Sequence, residues 1–343
     1  MSKNNNKQAL LSAVKKYYEE KDSFEEKLCE IDTTFAKDEN SFILKKKRKQ
    51  VGDYAKEVIY TSKDLENRKN RIFKTKGKYE EILSEYHKWK KKNNKSNISN
   101  YKYLNDTGFS VKNYKNAEPK YIFNCLAKNF AHIHFPRRDV NGHLSRVEVY
   151  GPEADLQKYD NSFYFRNSIT GYTGSTFETG NWYHDKFRFY LTFAFDPALS
   201  SSENGIITVK ARVHCNGSCV VWQDLIPHEF LYTSETGVTL NASVDFAQST
   251  PTGHYQIWEG DVVNLVDAWM SFYSAQYRRY KPLIVPIPDV IDIIHRYDRP
   301  LFGDRCFAVT VIFETNVIVD KGGIGSIEME MTVPMVWSEV YRQ

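Results

Sequence analysis

The chain has 343 residues, of which 41% are hydrophobic and 15% aromatic, and its formal net charge is +4. This composition excludes a disordered chain, and the length allows one large or two modest domains. No window approaches the roughly 18 to 20 uninterrupted apolar residues of a membrane helix, so no transmembrane segment is predicted. The start MSKNNNKQALL has no apolar signal region, so we expect a cytoplasmic or virion- or assembly-associated protein.

Proline and glycine divide the chain near residue 100. The first hundred residues contain no proline, only two of the 17 glycines, and 25 Lys+Arg against 16 Asp+Glu. Residues 101–343 contain all 11 prolines, and 22 Lys+Arg against 27 Asp+Glu. We therefore predict an α+β chain with a basic helical arm over 1–95, a linker over 96–118 and an antiparallel β-sandwich or jelly-roll-like domain over 119–343.

Apolar residues in the arm recur at alternating steps of four and three, the pattern of a coiled-coil seam. A first helix should end near residue 37, and a second should run from about Ser41 to Lys92. The seam needs an apolar partner, which favours self-association; the alternative is a helical hairpin that packs on its own body. The predicted oligomerisation seam consists of Leu10, Val14, Tyr17, Phe24, Leu28, Ile31, Phe35, Val51, Tyr54, Val58, Leu65, Ile72, Tyr79, Ile82, Tyr86 and Trp89.

The densest charge run of the arm lies near the predicted start of the second helix, where the helix dipole disfavours cations. Such a run is a candidate contact for an anionic partner such as nucleic acid, and otherwise a solvated face. Its members are Lys45, Lys46, Lys47, Arg48 and Lys49.

Period-two alternation of apolar residues predicts strands with one buried face in the second part of the chain. It occurs over residues 187–195, 207–215, 238–246, 307–313 and 327–333. Asn-Gly pairs at 141–142 and 216–217 predict hairpin turns, and the glycine-rich segment 322–326 predicts another. Eight or more strands with such turns favour a sandwich or jelly roll.

Two segments of this domain have helical spacing instead. A helix over about Gly260–Gln276 is predicted from the spacing of Val262, Leu265, Val266, Trp269, Met270 and Tyr273. A shorter helix is predicted after Pro288, and the proline-rich segment 282–288 should be an edge strand or a surface strap.

Two clusters could bind a metal, and neither is complete. His132 and His134 would share one face of a strand, but no third ligand has a matching spacing. Cys215 and Cys219 could form a disulfide, share a metal with His214 or pack as small apolar residues. We predict packing, with no metal and no cofactor.

Aromatic residues among Gly, Ser, Thr and Asn suggest a surface patch for a partner or a glycan, although such rings could equally cap the core. The patch comprises Phe163, Phe165, Tyr172, Trp182 and Tyr183.

No nucleophile elbow, zinc-protease helix or phosphate loop occurs in the sequence, so we expect no enzymatic activity. The seam and the aromatic β domain together predict a structural, assembly or binding protein, such as a virion, fibre or coat-type component, that forms a homo-oligomer or larger assembly. One alternative is a toxin-like pore-forming or receptor-binding protein with a membrane-active helical part. Another is a cupin-like metal-binding enzyme that uses His132 and His134.

Overall fold

The computed structural model describes residues 7–28, 76–93, 121–125, 130–134, 143–150, 161–171, 182–196, 204–223, 234–249, 253–272, 282–302, 305–320 and 323–341. In these ranges two helices, α1 (residues 7–28) and α2 (residues 76–93), precede thirteen strands. The strands are β1 (Tyr121–Cys125), β2 (Phe130–His134), β3 (His143–Tyr150), β4 (Ser162–Gly171), β5 (Trp182–Phe195), β6 (Asn204–Gln223), β7 (Ser234–Ser249), β8 (Tyr255–Trp258), β9 (Val263–Phe272), β10 (Leu283–Pro286), β11 (Val290–Phe302), β12 (Phe307–Asp320) and β13 (Gly323–Tyr341).

The described strands form two antiparallel sheets that pack face to face as a sandwich. One sheet has seven strands in the order β10-β6-β13-β4-β3, with β1 also paired to β13 and β11 also paired to β6. The other has six strands in the order β2-β5-β12-β7-β8, with β9 also paired to β7. The predicted antiparallel β-sandwich is confirmed.

The core lies between the sheets and is built from the predicted alternating residues. Phe189, Phe193, Val209, Phe246 and Phe313 are at most 2% exposed and belong to one cluster. Apolar burial stabilises by about 25 cal/mol per Å², so these inward positions fix which face of each strand points to the core.

Both predicted helices of the β domain are wrong, because apolar residues occupy both faces of what are strands. In β9, Val266 and Ala268 are buried, whereas Trp269 points outward and is 44% exposed. In β11, Ile293 is buried and Ile294 is 54% exposed. Outward apolar side chains break the simple alternation and imitate a helical spacing.

The three predicted hairpin turns are also wrong. Residues 216–217 lie inside the continuous strand β6, where Gly217 lets a neighbour approach: a Cβ there would lie 2.1 Å from the Glu328 carbonyl oxygen. Strand β2 pairs with β5, whereas β3 pairs with β4 in the other sheet. Strands β12 and β13 likewise belong to different sheets, so neither of these two strand pairs forms a hairpin.

The arm is described in two parts. Helix α1 has 22 residues and α2 has 18, and the long coiled coil is not shown. Residues 29–75 and the predicted linker 96–118 lie outside the described residues, so the domain boundaries stay predictions. Neither described helix is long and apolar enough to cross a membrane.

Candidate functional site

Helix α1 lies on the outer face of the six-stranded sheet, over strands β5, β12 and β7. Ala194, Ala308 and Ala247 are cross-strand neighbours and form a row of small side chains there. Leu10 and Val14 of α1 are at most 1% exposed and pack in the same cluster as these alanines. Small side chains let the helix approach the sheet closely.

The buried positions of α1 are spaced by four residues: Leu10, Val14, Tyr18 and Asp22. Four helical residues rise about 6 Å, and two strand residues rise about 6.6 Å. Successive turns of the helix therefore meet successive outward rows of the sheet, from the alanine row toward Thr192, Tyr190 and Arg188. We call this covered surface the helix-docking face.

Arg188 joins α1 to the sheet at the charged end of the helix-docking face. Its Nη1 donates to Asp22 Oδ1 at 2.8 Å, its Nε donates to Glu314 Oε2 at 2.6 Å, and its Nη2 donates to Glu25. Tyr190 also donates to Asp22 Oδ1, at 2.6 Å. One buried guanidinium thus binds two carboxylates of the helix and one of the sheet.

The pKa values follow from this pairing. Burial alone would raise the pKa of Glu314, but Arg188 and Lys186 outweigh it and lower that pKa to about 2. At Glu25, burial would likewise raise the pKa, but the same two cations outweigh it, so the pKa of Glu25 is also lowered. Both carboxylates are therefore ionised at neutral pH.

Asp245 is a buried carboxylate of the sheet beneath α1. Tyr18 of α1 donates to its Oδ2 at 2.9 Å, and the backbone N–H of Gly260 donates to its Oδ1 at 3.0 Å. Burial raises the pKa of Asp245 to about 6, despite the nearby Lys21. Gly260 is required at this approach, because a Cβ would lie 2.0 Å from the Val244 carbonyl oxygen.

Glu259 ties both helices to the sheet just after β8. Its carboxylate accepts from Lys21 at 2.5 Å and Tyr17 at 3.1 Å on α1, and from Lys90 at 3.2 Å on α2. Burial would raise its pKa, but Lys21 and Lys90 lower it to about 2. The helices also bind each other: Trp89 stacks on Tyr17 with ring centroids 5.0 Å apart.

A small polar cavity remains between α1 and the sheet. Its volume is about 130 Å³, and Lys21, Arg188, Asp245, Glu259 and Glu314 contribute to its lining. Each of these five groups makes an ion pair or a hydrogen bond. These groups can therefore hold the helix on the sheet, and the charge of the site changes with pH as Asp245 titrates.

Several of the predicted seam residues that the structure describes contact the sheet or the other helix. Leu10 and Val14 face the sheet, whereas Phe24 lies 5.9 Å from Tyr86 and 5.8 Å from Trp89 of α2, measured between ring centroids. The seam residues Ile31, Phe35, Val51, Tyr54, Val58, Leu65 and Ile72 lie outside the described residues. Oligomerisation through the seam stays a prediction.

Several other predicted residues also lie outside what the structure describes. The run Lys45, Lys46, Lys47, Arg48 and Lys49 is one case, so a nucleic-acid contact there stays a prediction. The predicted aromatic patch is the second case. Tyr172 lies outside the described residues, and so do the side chains of Phe163, Trp182 and Tyr183.

Phe165 does not belong to a surface patch, because it points between the sheets and is 0% exposed. Its ring centroid lies 4.8 Å from that of Phe189 and 5.1 Å from that of Phe187. For this residue, the core interpretation of the aromatic cluster is correct.

The candidate metal ligands are placed as follows. His134 Nδ1 lies 3.8 Å from Asp22 Oδ2 beneath α1. Cys215 and Cys219 are unbonded and buried in one strand, and burial raises their pKa to about 11 and about 12 respectively. No three His, Cys, Asp or Glu side chains among the described residues are grouped to hold a metal ion.

Beyond α1, the outer face of the same sheet carries an exposed tryptophan. A Cβ added to Gly237 would lie 2.4, 2.5 and 2.6 Å from three ring carbons of Trp269, so one face of the indole lies flat over this glycine. The indole N–H donates to Asp267. Asn316 donates to Thr239 at 3.1 Å in the next cross-strand row. We call Gly237, Thr239, Asp267, Trp269 and Asn316 the tryptophan shelf.

Sequence reasoning missed the groups that shape both surfaces. Arg188 and Asp245 lie on the outer faces of strands that also carry other charged residues, such as Lys186 and Glu235, so the local sequence does not single them out. The spacing around Trp269 predicts a helix, whereas the residue lies on the strand β9. Nothing in the local pattern indicates that Asp22 pairs with Arg188, which lies 166 positions away.

No family model matches the chain, and no curated protein matches it. Among solved structures, the chain is similar to TmCBM61 in complex with beta-1,4-galactotriose, at 12% identity over 64% of this chain and 92% of that one, with a TM-score of 0.18. A carbohydrate-binding module of the beta-sandwich super family has 8% identity over 60% and 56%, with a TM-score of 0.17. The enzymatically active domain of bacteriophage CBA120 tailspike protein 4 has 11% identity over 59% and 20%, also at 0.17. Likeness at these TM-scores carries no argument about the function of this chain.

Proposed function

We propose that the chain is a non-enzymatic binding or assembly protein of the virion, fibre or coat type, in which a β-sandwich presents a recognition surface. The observation that carries the proposal is the division of one sheet face. The helix-docking face is occupied by α1, and the tryptophan shelf beside it bears an indole that is 44% exposed.

The charged groups beneath α1 support a structural role rather than catalysis. Arg188 binds three carboxylates, Asp245 binds the α1 hydroxyl of Tyr18, and Glu259 binds cations of both helices. A catalytic acid or base must be able to exchange its proton with a substrate. The hydrogen bonds of these side chains instead hold the helices on the sheet.

The proposal includes self-assembly through the arm. The described helices use Leu10, Val14 and Trp89 within the chain, which leaves the seam positions between 31 and 72 as the proposed contact between copies. Apolar residues at heptad spacing associate when they can bury a common stripe.

Sedimentation velocity of the full chain over a hundredfold range of concentration tests this assembly. We expect oligomers that Leu65→Lys together with Ile72→Lys dissociates. The matched pair Asn67→Lys and Asn70→Lys adds the same charge off the seam and should leave the oligomers intact. A monomer at every concentration would refute the assembly role.

A further inference from the structure

We propose that the tryptophan shelf is a binding site for a neutral carbohydrate, with Trp269 as the ring on which one sugar stacks. The inference rests on the proposed function, since it names the ligand class of the recognition surface. It follows from the orientation of the indole, the polar groups around it and the charge of the surface.

The indole is held flat and in one position. Trp269 pairs with Gly237 across β9 and β7, and the absence of a side chain at Gly237 lets the ring lie on the backbone. Its N–H is bound by Asp267, two positions earlier on the same outer face of β9. One ring face is therefore covered and the other is presented to solvent, without any rotamer change on binding.

A fixed and exposed indole is suited to one face of a sugar ring. The π-face of an aromatic ring is electronegative, and the axial C–H groups of a pyranose are polarised positively by the oxygens attached to the same carbons. Beside the ring, Asp267 offers carboxylate oxygens, Thr239 a hydroxyl and Asn316 an amide. Such planar and hydroxyl groups exchange hydrogen bonds with sugar hydroxyls.

The charges that the structure describes on this surface disfavour an anionic partner. Among the described residues, the cation of the same cross-strand row is Lys186, which is bound to Glu25 at 3.4 Å and to Glu314 at 3.0 Å. Asp267 adds an exposed negative charge. Nucleic acid needs unpaired cations for its phosphates, so a neutral polyhydroxyl ligand fits better.

An array of neutral oligosaccharides, including glucans, mannans, galactans and xylans, tests the inference with the full chain, followed by calorimetric titration of the best ligand. We expect Trp269→Ala to weaken binding by about tenfold or more, and Trp269→Phe to retain much of it. Gly237→Ala should weaken binding similarly, because its Cβ would displace the ring while every polar group of the shelf remains.

Trp337→Ala is the matched control, because Trp337 lies on the outer face of the other sheet, with Arg212 at 5.9 Å from its ring centre. It should bind like the wild type. Failure of every oligosaccharide to bind would overturn the inference, as would equal binding by Trp269→Ala, or binding of a proline-rich peptide or single-stranded DNA at this ring instead. Sedimentation is measured on the same variants, so a chain that assembles but binds no sugar refutes the ligand class alone.

Discussion

Arg188 and Arg212 lie on opposite outer faces of the sandwich, and each binds carboxylates in a different environment. Arg188 has a side chain only 9% exposed and is enclosed by Asp22, Glu25 and Glu314, whereas Arg212 is 47% exposed and forms a two-bonded pair with Asp292. Buried charges must be fully paired, while exposed pairs are screened by water. The same arginine–carboxylate pairing therefore holds a helix on one face of the sandwich and forms only a solvent-exposed pair on the other.

Replacing Arg188 by Ala should give the largest effect. Asp22, Glu25 and Glu314 would all lose Arg188, and Lys186 would remain beside only the last two. Removing one partner of a buried ion pair costs about 3 to 5 kcal/mol. Urea unfolding at pH 7 measures the free energy of unfolding. Arg212→Ala is the matched variant on the other face and should change the unfolding midpoint little, so equal effects of the two substitutions would contradict the comparison.

The second prediction concerns pH and Asp245. Its pKa is about 6 in the folded chain against an ordinary value of 3.8, so the folded state binds the proton more tightly. Stability should therefore rise as pH falls through about 6, and the ionised carboxylate should cost about 3 kcal/mol at pH 8.

Asp245→Asn removes that charge while its amide can still bond to Gly260 and Tyr18. We expect the variant to be more stable than the wild type at pH 8 and equally stable below pH 4, as measured by urea unfolding across this range. Glu314→Gln serves as the contrasting variant. The folded pKa of Glu314 is lowered to about 2, so its stabilisation is present above its ordinary pKa of 4.5 and is lost as pH falls through about 2. A destabilised Asp245→Asn at pH 8 would refute the first expectation.

The smallest effect is expected between the helices. Trp89 Nε1 donates to Glu20 at 2.7 Å, and Trp89→Phe would remove this bond but retain a ring against Tyr17. The loss should be about 1 kcal/mol, the usual net value of a hydrogen bond. Thermal unfolding followed by circular dichroism measures it. Trp89→Ala should cost more, and a reversed order would show that ring stacking contributes nothing.

Much of the sandwich could be predicted from the sequence, because strands with one buried face alternate visibly. The segments 187–195 and 238–246 are examples, with Phe189 and Val244 inward as expected. The prediction failed for β9 and β11, where Trp269 and Ile294 are apolar on the outer face. The turn predicted at Gly217 is wrong, because a glycine is also needed where two strands approach each other closely.

The candidate surfaces were harder to predict, because both depend on contacts between distant parts of the chain. The 4,3 spacing of the arm correctly indicated a helix in need of a partner. It could not indicate that Tyr18 and Asp22, rather than only apolar residues, would be enclosed by the sheet. That outcome depends on Arg188 and Asp245, whose own local sequence predicts only a strand.

The position of β13 has a consequence for synthesis. Residues 323–332 of β13 lie between β6 and β4, and its later residues lie between β6 and β1, so Tyr121 pairs with Val340. During translation, β1, β4 and β6 must wait for β13, which is made later than all three, before these partners exist. Helix α1 is likewise made long before β12, on which it docks. The sandwich therefore cannot close until β13 has been synthesised, and the unpaired edges of the nascent chain are where chaperones would act.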